Sequence, residues 1–271
     1  MRSANERGLT RKGRGMPNDI TIGLVVPFAT DSVPDEGLQM YPHVHFVARG
    51  VGVRSLTPDG YDAAVDGIVP AAEYLAARQA DAIMVIGTSL TFYRGADFHA
   101  GLMEKVRAAT GLPASTMSQA IVDGLNSLGA RRIAVATAYA EEVNGRLKAF
   151  LAAHGFDVLA LEGFGLFGFG EADRKSKDDI IALGTKACAA APAAEALVIS
   201  CGGLRTLDVA VPLERQHGIP VVASTQAAFW AALRLIGDNG QLAGYGRMLA
   251  QSGGVAAGAP PHAQAPIERR A

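Results

Sequence analysis

The sequence of 271 residues holds two cysteines, one tryptophan and no long apolar run. Two cysteines, Cys188 and Cys201, leave no room for a disulfide framework, so a reducing cytoplasm is the expected location. No apolar stretch reaches the roughly 18 residues that span a bilayer, so no membrane association is expected. Charge is sparse as well. Charged residues make up 19 % of the chain and sum to −1, which gives no basic field for nucleic acid. The H-E-x-x-H, P-loop and G-x-S-x-G patterns are all missing. His43-Val-His45 has no Cys or carboxylate cluster beside it and reads as a solvated turn, so no metal is expected.

What is present is 49 % apolar residue arranged in short runs. Buried strands are expected over residues 20–27, 81–86, 112–115, 132–137, 156–161, 196–200 and 220–224. Helical periodicity lies between them, over 60–79, 100–110, 118–128, 141–154, 177–190, 206–217 and 226–236. Ser118 is the expected N-cap of its helix and Gly129 its stop. Strand–helix alternation with buried strands implies an α/β fold with parallel sheets. Residues 1–19 are polar and basic, lack the apolar core of a secretory signal and are expected to be disordered, with Met16 an alternative start. Residues 251–271 are expected to be a second disordered tail.

The chain also repeats itself. Asp81-Ala-Ile-Met-Val-Ile-Gly87-Thr88-Ser89-Leu90 resembles Glu195-Ala-Leu-Val-Ile-Ser-Cys201-Gly202-Gly203-Leu204. Gly111-Leu-Pro-Ala-Ser-Thr-Met-Ser-Gln-Ala resembles Gly218-Ile-Pro-Val-Val-Ala-Ser-Thr-Gln-Ala. Two similar Rossmann-like halves related by a pseudo-twofold axis are therefore expected. One comprises 20–128 with 226–250, the other 129–225, with the active site in the cleft between them. Ligands of open α/β sheets sit beyond the carboxyl ends of the strands, which puts Gly87–Ser89 and Cys201–Gly203 on that cleft.

Small residues and two hydroxyls at Gly87-Thr88-Ser89 suit an anion cradle. A strand end capped by small polar residues reads the same way. Cys201, at a strand end and followed by two glycines, is well placed to react; a buried free cysteine that merely packs is the bland reading. Cys188, in an Ala-rich helix, is expected to pack. Gly163-Phe-Gly165-Leu-Phe-Gly168 fits G-x-G-x-x-G, but polar Glu171-Ala-Asp-Arg-Lys-Ser follows instead of a helix, so it reads as an active-site loop.

Together, Gly87-Thr-Ser-Leu-Thr-Phe-Tyr-Arg-Gly95, Ala136-Thr-Ala-Tyr139, Val143-Asn144 with Arg146, and Ser200-Cys-Gly-Gly-Leu204 with Thr206-Leu-Asp208 resemble the arylmalonate decarboxylase family of the aspartate/glutamate racemase superfamily. The resemblance runs from about Thr21 to Arg247. Racemases and maleate isomerases of that superfamily carry one cysteine from each half, on opposite faces of the substrate carbon. Here the first position is Gly87 and only Cys201 remains. One acid on one face suits decarboxylation ending in a single stereospecific protonation.

The resemblance implies a cofactor-free enzyme acting on a small malonate-type dicarboxylate, with the protein a monomer or small homo-oligomer. Cys201 would be the proton donor. One carboxylate would lie among Thr88, Ser89, Tyr139 and the N–H groups of Cys201 and Gly202. The departing carboxylate would face Gly87 and an apolar pocket of Pro27, Val53, Leu56 and Phe169. A neighbouring helix N-terminus would lower the thiol pKa, while burial and a bound dianion would raise it. Tyr61 also matches a family tyrosine, without an assigned role. The family carries Pro-Pro where this chain has Pro27-Phe28, and the 163–170 loop is unusually aromatic. A racemase or isomerase of the same superfamily, and a non-catalytic two-lobed binding protein, are the alternatives.

Overall fold

The structure is a computed structural model that describes residues 20–251. The extension read at 1–19 and the tail beyond Gln251 lie outside the described residues.

Eight strands form two sheets. The first contains β1 (Thr21–Val26), β2 (His45–Gly50), β3 (Ala82–Val85) and β4 (Ala114–Thr116). The second contains β5 (Arg132–Tyr139), β6 (Asp157–Leu166), β7 (Ala196–Ser200) and β8 (Val221–Ala223). Their orders are β2-β1-β3-β4 and β6-β5-β7-β8, and every pairing is parallel. The second sheet therefore repeats the topology of the first, strand for strand. All residues of β3 and β7 are buried, as parallel strands covered on both faces must be.

This order places the functional turns. In each sheet the chain steps outward in opposite directions from a central pair, β1 and β3 in one, β5 and β7 in the other. A crevice opens at the carboxyl ends of such a pair, because the connections leave on opposite faces. Pro27 follows β1, Gly87 follows β3, Tyr139 ends β5 and Cys201 follows β7. The helix Ser224–Leu235 packs against the helix Met117–Ser127 and is buried from Ser224 to Leu233.

Several local expectations are corrected. The periodicity over 60–79 divides into helices Pro58–Val65 and Ile68–Ala76. Pro70 is the cause: inside one continuous helix its ring would clash with the carbonyl four residues back. Thr116, not Ser118, caps the helix Met117–Ser127, its Oγ1 accepting from Gln119 N–H at 2.9 Å. His45 is not in a turn but opens β2, with Nδ1 3.0 Å from Thr21 Oγ1. The edge strand escaped the sequence reading because only Phe46 of its six residues is buried. The helix expected from Thr206 begins at Ala210. Thr206 and Leu207 instead lie in an irregular turn whose N–H groups donate to Glu36 Oε1 at 2.7 and 3.1 Å.

Candidate active site

After β3 the chain turns sharply at Gly87, whose φ of +116° strains any residue with a side chain, and enters the short helix Thr88–Phe92. Thr88 and Ser89 are thereby buried at the strand's carboxyl end. Hydroxyls fix this turn. Ser118 Oγ donates to the Thr88 carbonyl at 2.8 Å and lies 2.6 Å from Thr91 Oγ1.

The turn after β7 is built on the same plan. Thr225, the repeat counterpart of Ser118, donates from Oγ1 to the Gly202 carbonyl at 3.5 Å. Ser224 has no hydroxyl counterpart in the first copy, where Met117 stands. Its Oγ accepts from Cys201 N–H and from Thr88 Oγ1, each at 3.1 Å, and donates to the Ile199 carbonyl at 3.1 Å. The Cys201 N–H expected in the anion cradle is thus already engaged, and so is the Thr88 hydroxyl.

Two tyrosines complete the polar wall. Tyr139 is carried to its place by a clasp across the end of β5. Thr137 Oγ1 donates to Asn144 Oδ1 at 2.6 Å, and Asn144 Nδ2 donates to the Tyr139 carbonyl at 3.0 Å. That clasp is the physical content of the Ala136-Thr-Ala-Tyr139 and Asn144 motif. Tyr61 comes from the helix Pro58–Val65, its ring 5.0 Å from that of Tyr93. Both phenol oxygens are buried and neither has a hydrogen-bond partner within the protein. Ser89 and Ser200 lie near enough to favour ionisation of Tyr139 but make no regular hydrogen bond with it. Desolvation dominates, with the neighbouring thiolate charge next for Tyr139, and raises both phenols above their ordinary value. At neutral pH they are donors.

Cys201 is 8 % exposed. Burial pushes its thiol up to about 11. The Gly203 and Leu204 N–H groups and the Tyr139 hydroxyl work against that rise, and the Asp173 carboxylate adds to it. The helix expected to follow Cys201 directly starts nine residues on, at Ala210. The thiol is protonated at neutral pH before any substrate charge is added. Cys188 lies in the helix Lys177–Ala190, buried among core residues.

These groups face one cleft of about 660 Å³, its open mouth included. Pro27, Val53, Leu56, Gly87, Thr88, Ser89, Tyr139, Phe169, Cys201 and Gly202 all line it, so the structure brings these ten candidate site residues together. Phe28 and Phe169 meet edge to face at 6.2 Å, forming an aromatic wall. The 163–170 stretch finishes β6 and then joins the cleft rim, where Gly168 bridges to Ser55. The sequence reading missed Asp173, Thr225 and Ser224. Asp173 lies in a polar stretch with no motif, and Ser224 is hidden by the repeat itself. Among the described residues, no cluster of three or more His, Cys, Asp or Glu side chains converges to hold a metal.

The profile of the arylmalonate decarboxylase family matches residues 22–249. The chain belongs to that family. It is 44 % identical over 233 residues to arylmalonate decarboxylase of Bordetella bronchiseptica, covering 86 % of this chain and 97 % of that one. Among solved structures, it resembles a liganded arylmalonate decarboxylase variant with one glycine changed to cysteine and one cysteine to serine. That match has a TM-score of 0.84 at 43 % identity, covering 85 % of this chain and 99 % of that one. A maleate isomerase of Pseudomonas putida S16, solved with maleate, shares the fold at a TM-score of 0.81 and 17 % identity, covering 86 % and 98 % of the two chains. Two parallel four-stranded sheets in similar halves are thus the architecture of this family's neighbours as well as of this chain.

Proposed function

We propose that the protein decarboxylates aryl-substituted malonates without a cofactor, through an enediolate that Cys201 protonates on one face. Family membership supports the reaction type. The observation that carries the reading to this chain is a protonated, buried thiol beside two buried phenols whose hydroxyls have no partner within the protein. Buried polar groups are normally satisfied, so donors left open on a cleft call for an acceptor from outside.

In this reading the retained carboxylate rests against Ser89, Tyr139, Tyr61 and the Gly202 N–H, beside Thr88. The other carboxylate lies on the apolar wall of Pro27, Val53, Leu56 and Phe169. Poor solvation there favours loss of its charge as CO2. As the C–C bond breaks, its electron pair enters the retained carboxylate and forms an enediolate. The phenol donors bind that charge more tightly than the ground state, and each is worth about 3 kcal/mol of barrier. The thiol proton then passes to the α-carbon, the S–H bond breaking as C–H forms. Gly87 offers no acid, so one face is protonated.

The test is phenylmalonate in D2O, with products followed by proton NMR for the wild type and Cys201→Ala. Monodeuterated phenylacetate from the wild type alone is the expected result. Binding without turnover, indifferent to Cys201→Ala, would instead mark a binding protein. Exchange of α-hydrogen in chiral monocarboxylic acids without CO2 release would mark a racemase.

A further inference from the structure

Among the residues lining the cleft, Asp173 alone is a carboxylic acid. It belongs to the short turn Ala172–Arg174 and is exposed on its outer side. A methyl group placed on Gly203 would sit 2.9 Å from Asp173 Oδ1 and 3.8 Å from Cys201 Sγ. Carboxylate and thiol therefore flank the same glycine, one reaching solvent and the other 8 % exposed. A carboxylate is a costly neighbour for a site that takes a dianion, because like charges repel across a low-dielectric cleft. Its position next to the thiol offers a compensating role.

That role lies in the second half of the cycle, and it rests on the decarboxylase reading. Once Sγ has given its proton to carbon, a thiolate is left in a pocket that disfavours it. The next turnover requires a proton from solvent, and Asp173 is an exposed acid of the cleft lining that flanks the same glycine as the thiol. We propose that Asp173 is the group through which Cys201 regains its proton. The exposed Asp173 carboxylate first takes a proton from hydronium or a buffer acid. Its carboxyl O–H then breaks as the S–H bond forms, directly or through one water.

The surroundings favour this direction of transfer. Partial burial raises the Asp173 pKa, with the Arg205 guanidinium working against the rise, and burial pushes the thiol up to about 11, so sulfur draws the proton onward from the carboxyl. The other groups facing Cys201 are the Tyr139 hydroxyl from β5, with Tyr61 behind it from the helix Pro58–Val65, and the Gly203 and Leu204 N–H groups. Both phenol oxygens are buried, so neither can collect a proton from bulk water.

The experiment compares first-turnover and steady-state decarboxylation of phenylmalonate by rapid quench, for the wild type, Asp173→Asn, Asp173→Glu and Asp173→Ala. In Asp173→Asn the first equivalent of product, at saturating substrate, should form no more slowly than in the wild type, because a charge that repels the dianion has been removed. Later turnovers should be slower by a factor on the order of 10², the usual scale of a lost proton-transfer group. Asp173→Glu should restore the steady state. Imidazolium buffer at fixed pH should accelerate Asp173→Ala but not the wild type. A steady-state rate in Asp173→Asn within about twofold of wild type overturns the proposal, as does equal slowing of first and later turnovers. No CO2 from the wild type with any arylmalonate would bring down the decarboxylase reading, and this proposal with it.

Discussion

The backbone N–H of Cys201 donates to the hydroxyl of Ser224 at 3.1 Å. Because that hydroxyl also accepts from Thr88 and donates to the Ile199 carbonyl, one side chain joins the thiol turn of one half to the hydroxyl turn of the other. A serine hydroxyl has two acceptor sites and one donor, and all three are used. The two halves of the site are registered by this link.

Ser224→Ala should therefore affect both stability and rate. It strands a buried N–H, a buried hydroxyl and a buried carbonyl, at a cost of about 2–4 kcal/mol in unfolding free energy. The loosened turn should lower kcat more than it raises KM. Urea unfolding and phenylmalonate kinetics check the pair of effects.

Tyr61→Phe and Tyr139→Phe should separate stability from function. Each removes a buried hydroxyl that has no partner within the protein. Unfolding free energy should hold steady or rise by about 1 kcal/mol. The loss in kcat/KM should be on the order of 10²-fold, the effect of removing one transition-state donor. A variant that loses stability and keeps its rate would remove that phenol from the site.

Titration of Cys201 should be displaced upward. With a folded pKa of about 11 against an ordinary value of 9.0, the folded state holds this proton more tightly than the unfolded chain. The associated stability is fully present below pH 9 and is lost as pH rises through 11. Iodoacetamide should react slowly with Cys201 at neutral pH and faster as pH approaches 11. Cys188 is raised to about 11 by burial too, so the Cys201→Ala variant supplies the baseline.

Gly87→Cys should place a second thiol on the opposite face of the substrate carbon. There is space for it, since an added Cβ would meet Leu90 Cβ at 3.4 Å and Pro27 Cβ at 3.6 Å. The φ of +116° makes the substitution strained, at about 1–3 kcal/mol. The expected product is a less stable enzyme that exchanges and racemises an α-aryl monocarboxylic acid, measured by deuterium incorporation and loss of optical rotation. An unchanged optical rotation with both cleft thiols free would refute the facing geometry.

Much of this molecule is legible in the linear sequence. Strand runs such as 81–86 and 196–200 are apolar because both faces of a parallel sheet are covered, and that constraint is local. The internal repeat is also linear information, and it pairs Gly87 with Cys201. Pocket residues as far apart as Pro27 and Phe169 are marked by family resemblance alone, because no periodicity links them. Pro70 could have shown that 60–79 is two helices, since its missing N–H and ring clash are local facts too.

What only the tertiary structure decided is which groups meet. Ser224 and Thr88 are 136 residues apart, and their contact follows from packing one half against the other. Glu36, 170 residues from Thr206, replaces a turn of helix there by accepting its N–H. The protonated state of Cys201 was likewise undecided in the sequence, because burial and the placement of Asp173 and Tyr139 set it. Residue type specifies what a side chain can donate, accept or ionise. Its partners and its dielectric surroundings are properties of the folded chain.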